Sequence, residues 1–122
     1  MPERAVLVVL AVANPGLRSA LTAQLTLAGA DIVTVSDPDA RAVRGAVRRP
    51  AALVIDAQML AAGEPGWLAA LVREPHWYCV LALDVEPLPE VEGHLCYASA
   101  AEARAVIAQM LPSWRDDGSG CC

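Results

Sequence analysis

Apolar runs and helix-spaced apolar positions alternate along this chain. Val6 to Ala13 is an unbroken Val/Leu/Ala run, the pattern of a parallel strand covered on both faces rather than a half-exposed one. Asn14 and Pro15 follow as an N-cap and a first-turn proline. Leu17, Leu21, Leu25 and Ala28 then recur at helical spacing until Gly29 stops the helix. Ile32 to Val35 predicts a short second strand. Asp37-Pro38 repeats the cap-and-proline device before Ala40, Val43 and Val47, predicting a helix that Arg49-Pro50 closes. Ala52 to Ile55 predicts a third strand ending at Asp56. A Gly/Glu/Pro loop leads to a helix through Trp67, Leu68, Leu71 and Val72. Tyr78 to Leu83 and Leu95 to Tyr97 predict the fourth and fifth strands. Ser99 and Glu102 have the spacing of a capping box for a last helix with Val106, Ile107 and Met110 inward.

Strand and helix in alternation imply a parallel sheet with helices on both faces. Ligands and chemistry in such sheets sit beyond the carboxyl ends of the strands. Those ends are Val12-Ala13-Asn14, Asp56 and Asp84. One connection breaks the rhythm. Val85 to Gly93 contains Pro87 and Pro89, and proline interrupts interior helical hydrogen bonds. The segment therefore predicts an extended or single-turn strap in place of a crossover helix, made acidic by Glu86, Glu90 and Glu92. Residues 1–112 are expected to form one α/β domain, with 113–122 a flexible tail.

Composition narrows the partner classes. The 122 residues are 56% hydrophobic and 19% charged, which favours a buried core over disorder. Net charge is −5 and the isoelectric point about 4.8, so no nucleic-acid partner is expected. No apolar run approaches a bilayer span, so no membrane partner is expected either. Every cation is Arg, which excludes lysine-dependent chemistry and, with abundant Ala, points to a GC-rich bacterial source. Arg4 and the apolar run ending in Ala11-Val12-Ala13 imitate a secretion signal. Glu3 offsets Arg4, the run is short, and cleavage would delete the first strand. A cytoplasmic location is expected.

Other chemistry-bearing residues are few. His76-x-x-Cys79 and His94-x-Cys96 raise a zinc site, but both cysteines sit among Val and Leu, where a thiol behaves as a small buried hydrophobe. No metal and no cofactor are expected, and a Cys79–Cys96 disulfide is disfavoured in a reducing cytosol. Cys121 and Cys122 end the chain in an oxidisable tail with no assigned role. Arg41, Arg44 and Arg48 predict a solvated helix face, and "NPGLR" lacks the glycine spacing of a phosphate loop. Trp67 and Trp77 are expected to pack, and Trp114 to be exposed as a docking residue. No nucleophile, base and stabiliser can be named together, so the chain does not read as an enzyme.

Several segments resemble the receiver domain of bacterial two-component response regulators. "VLVV…NPGLRSALTAQLTLAGADIVTVSD" resembles the first strand, helix and second strand; "RRPAALVIDAQM" resembles the third strand with its phosphoacceptor, here Asp56. "GWLAALV" and "HLCYASAAEARAVIAQML" are similar to the third helix and to the last strand and helix. The resemblance implies a flavodoxin-like α/β sandwich with a five-stranded parallel sheet in order 2-1-3-4-5. It also implies a site built from two metal-binding acids, a hydroxyl, a lysine and a switching aromatic. Those positions fall on Val12 and Ala13, Asp84, Tyr97 and His94. Only Asp56 keeps the family's residue. Without acids for Mg²⁺ or a lysine for the phosphoryl oxygens, phosphotransfer loses its stabilising charges. The resemblance thus implies a degenerate pseudo-receiver that acts in signalling by protein contact, with a protein partner or a second copy of itself. The expected surface is Asp84, Glu86, Glu90, His94 and Tyr97. The alternative is a small-ligand or anion sensor using a crevice at Asn14, Asp56 and Asp84.

Overall fold

The computed structural model describes residues 6–36, 50–63, 66–73, 77–86 and 95–116. Within them lie strands β1 (Leu7–Ala11), β2 (Asp31–Thr34), β3 (Ala51–Asp56), β4 (Trp77–Leu83) and β5 (Leu95–Ala98). The helices are α1 (Pro15–Leu27), α2 (Ala57–Ala62), α3 (Trp67–Val72) and α4 (Ala103–Asp116), the last entered through a 3₁₀ turn at Ala100–Glu102. The helix expected over 38–49, the strap from Pro87 through Gly93 and the tail beyond Asp116 lie outside the described residues.

All five strands are parallel, in the order β2-β1-β3-β4-β5. Strand pleating sends successive side chains to opposite faces, and each face has its own core. Val8, Leu10, Val12, Ala52, Val54, Leu81 and Leu83 meet Leu21 and Leu25 of α1 and Ile107, Leu111 and Trp114 of α4. Leu7, Val9, Leu53, Ile55, Val80 and Ala82 meet Met59 of α2 and Leu68, Leu71 and Val72 of α3. Covered on both sides, the central strands need no polar positions, which is why β1 and most of β3 read as unbroken apolar runs. A register shift at Ala51/Ala52 skips Tyr78, so Trp77 and Val80 share a face despite their odd spacing.

Local signals set the helix ends. Asn14 Oδ1 accepts the Leu17 N–H at 3.0 Å, with Pro15 in the first turn. At the other end Gly29 adopts φ +82°. Its N–H donates to the Thr26 carbonyl and that of Ala30 to the Leu25 carbonyl, the paired bonds of a Schellman stop. Ser99 Oγ caps the start of the last helical segment by accepting the Glu102 N–H at 3.1 Å, and meets Glu102 Oε1 at 2.8 Å. The capping pair is thus the expected one, though the Glu102 carboxylate binds the Ser99 hydroxyl.

Three expectations are corrected. The loop expected after Asp56 begins with a helix, α2. The domain boundary expected between 112 and 113 falls inside α4, which runs through Pro112 to Asp116. Trp114, expected to be an exposed docking residue, is 3% exposed and packs in the α1/α4 core. Pro112 lacks an N–H but permits continuation, because the apolar stripe Ile107, Leu111, Trp114 holds the last turn on the sheet.

Candidate functional site

The sheet order places the carboxyl ends of β1 and β3 side by side, with that of β4 next to β3. Asp56, the last residue of β3, is a buried charged side chain, 5% exposed. Its Oδ2 accepts the N–H groups of Ala13 at 3.0 Å and Asn14 at 3.1 Å. Its Oδ1 accepts the Met59 N–H at 2.9 Å and so caps α2. Both carboxylate oxygens are therefore bound to backbone donors. The side chain ties the turn after β1 to the start of α2, across more than forty residues of sequence.

The positions expected to be degenerate acids are firmly apolar. Val12 is fully buried in the α1/α4 core, and Ala13 packs against the α2/α3 core. Beside them Arg18, from the first turns of α1, directs Nη1 toward the Val12 carbonyl at 3.4 Å. A guanidinium, two aliphatic side chains and one saturated carboxylate form this strand-end surface. A divalent cation requires several free oxygen ligands; among the described residues, the one carboxylate at the β1 and β3 ends is already occupied by N–H groups.

Asp84, after β4, has φ +58°, a left-handed conformation that Asp tolerates better than most residues. Its N–H donates to the Ala98 carbonyl at 2.9 Å, and its Oδ1 accepts the Ala100 N–H at 2.9 Å. It is exposed, yet it forms the clasp between the end of β4 and the turn leading into α4. Asn14 spends its side-chain oxygen on the α1 cap. The three polar residues expected to line a ligand crevice thus each serve the backbone.

Among the residues expected to form an interaction surface, Asp84 and Glu86 are exposed, and Tyr97 is half-buried against the α2/α3 core. Glu90 and His94 lie outside the described residues. An open groove lies away from the strand ends, between α1 and α4, walled by Ala20, Ala23, Ala108 and Leu111. Gln24 also lines it, its Nε2 donating to the Arg104 carbonyl at 2.7 Å.

The cysteine expectation is also corrected. Cys79 and Cys96 were expected as buried free thiols; both are disulfide-bonded, and no cysteine among the described residues is free. They are buried in the same core, on neighbouring strands. Sulfurs held in disulfides are not thiolate ligands, so the zinc constellation has no pair of sulfur donors in this state; His76 lies outside the described residues.

What sequence reasoning missed is helix α2, and with it the bonds by which Asp56 joins the start of that helix to the turn after β1. The signal was present: an Asp followed by Ala57-Gln58-Met59-Leu60-Ala61-Ala62 and then Gly63 is an N-cap, a run of helix formers and a stop. Among the described residues, no helix is long and apolar enough to cross a membrane. No family model, curated protein or solved structure matches the chain.

Proposed function

We propose that this chain is a phosphorylation-independent, receiver-like domain of flavodoxin-like fold that serves as a protein–protein interaction module in a bacterial regulatory system. The observation that carries the reading is the Asp56 carboxylate, whose two oxygens accept three backbone N–H groups. A nucleophilic carboxylate needs a free oxygen and nearby cations to stabilise the transferred phosphoryl group. Here the oxygens are engaged, the neighbours are Val12 and Ala13, and phosphoryl transfer would sacrifice bonds that join β1 to β3. The residues of a switch have become the residues of a scaffold.

The five-stranded parallel sheet in the order β2-β1-β3-β4-β5, with core on both faces, supports the fold assignment. The domain works without a cofactor and catalyses no reaction. Its working surface is the β4–β5 end, which carries exposed Asp84 and Glu86 and half-buried Tyr97. The acidic character extends in sequence through Glu90 and Glu92, so the surface suits a partner with basic and apolar side chains rather than nucleic acid. The ligand-sensor alternative is weaker, because the oxygens of Asn14, Asp56 and Asp84 that would grip a ligand already accept backbone bonds.

Incubation with acetyl phosphate and Mg²⁺ is expected to leave the intact mass unchanged. A phosphoryl adduct mapped to Asp56 by peptide sequencing overturns the reading. Affinity capture from a bacterial host is expected to retain partners that Glu86→Arg and Tyr97→Ala both lose. An identical set of captured proteins for all three chains, with identical sedimentation, removes this surface from consideration.

A further inference from the structure

We propose that Cys79 and Cys96 are bonded to each other and that this bond is a redox-set clamp on the edge strand β5. The inference stands on the disulfides themselves and does not depend on the interaction reading above. Register supplies the pairing. Leu81 of β4 stands opposite Cys96 of β5, and Cys79 lies two residues before Leu81. Residues two apart on a strand share a face, and Cys79, Leu81 and Cys96 all lie in the α1/α4 core. Cys79 and Cys96 are therefore diagonal neighbours on one face of adjacent strands.

What the bond would hold follows from topology. β5 spans only Leu95–Ala98 and, at the edge of the sheet, pairs with β4 alone. The Ala98 carbonyl and the Ala100 N–H are the two groups that Asp84 clasps. A covalent tie between β4 and β5 thus secures the edge strand, the Asp84 turn and the approach to α4 together. In the dithiol state β5 is retained without a covalent tie, by its ladder, its core packing and the Asp84 clasp. Oxidation by a disulfide closes the clamp. One cysteine thiolate attacks the small disulfide and releases one thiol. The other cysteine then displaces the second, so that two electrons and two protons pass from the cysteines to the oxidant. Opening is the reverse, with a dithiol as reductant. Both sulfurs are buried, Cys79 at 0% and Cys96 at 3% exposure, so exchange proceeds only when β5 lifts from the sheet.

The test begins with the intact chain equilibrated with glutathione disulfide, alkylated under denaturing conditions without reductant. Cleavage after Arg73, Glu90 and Glu92 separates the two cysteines, and fragments 74–90 and 93–102 are expected to remain joined. Either fragment joined instead to the one bearing Cys121 and Cys122, or both fragments recovered alkylated, overturns the pairing. Dithiothreitol is then added to the folded protein and backbone hydrogen exchange followed by mass spectrometry. Exchange in 93–102 is expected to accelerate at least tenfold, with β1 and β3 unchanged. Cys96→Ala is expected to show the fast rate with or without dithiothreitol. A bond that survives dithiothreitol in the folded protein until denaturant is added is a permanent structural link and sinks the switch. Reduction without a change in exchange at β5 sinks it equally.

Discussion

Two aspartates carry most of the logic at the strand ends, and each is put to structural use. Asp56 satisfies three backbone donors at a buried position, so Asp56→Ala leaves N–H groups unpaired and is expected to cost about 1–3 kcal/mol, read as a lowered midpoint in urea unfolding. Asp56→Asn keeps one acceptor but turns an amide NH₂ toward a donor, and its midpoint is expected between those of wild type and Ala. Asp84 combines a left-handed backbone with a side-chain acceptor. Asp84→Asn retains both and is expected to match wild type, whereas Asp84→Val loses both and is expected to cost about 1–2 kcal/mol for the backbone alone. The first aspartate's position at a strand end is readable from sequence because an apolar run stops there. Its three bonds are not, since they depend on β1 and β3 lying side by side. The sign of φ at Asp84 is equally hidden, as Asp is also common in ordinary turns.

Elements were legible where two independent signals coincided. α1 has a cap, a first-turn proline, spaced leucines and a glycine stop, and the structure agrees at both ends. α2 was missed because the residues after Asp56 were read as a loop, although a capping role for that carboxylate was compatible with the sequence. α4 was expected to end too early because Trp114 was read as an exposed docking residue, when its burial holds the final turn in place. Trp114→Ala is accordingly expected to destabilise by about 3–5 kcal/mol, the range for emptying a large aromatic site in a core. A chain cut after Pro112 should lose comparable stability, which a thermal melt would register. Ser99→Ala removes the cap that starts this segment and is expected to cost about 1 kcal/mol.

At the scale of the whole molecule, alternation of strand and helix announced a parallel sheet, and the structure has one with core on both faces. A Cys79–Cys96 linkage was disfavoured from the sequence because a reducing cytosol opposes disulfides; the register that brings the two residues onto one face of β4 and β5 is not readable there. The same architecture has a cost in the unfolded chain. Val6 to Ala13 is free of charge and of proline, a composition prone to intermolecular cross-β pairing when it is exposed. Among the described residues β1 is walled between β2 and β3, and the two edge strands, β2 and β5, are four residues each, β2 bearing exposed Asp31 and Thr34. Short edge strands discourage strand addition. The order of the strands, rather than the composition of the central one, therefore keeps β1 out of intermolecular pairing. Heating past the melting transition is expected to give thioflavin-positive aggregate instead of refolded protein, and placing a single Lys at Val9 is expected to abolish both the fold and the aggregate.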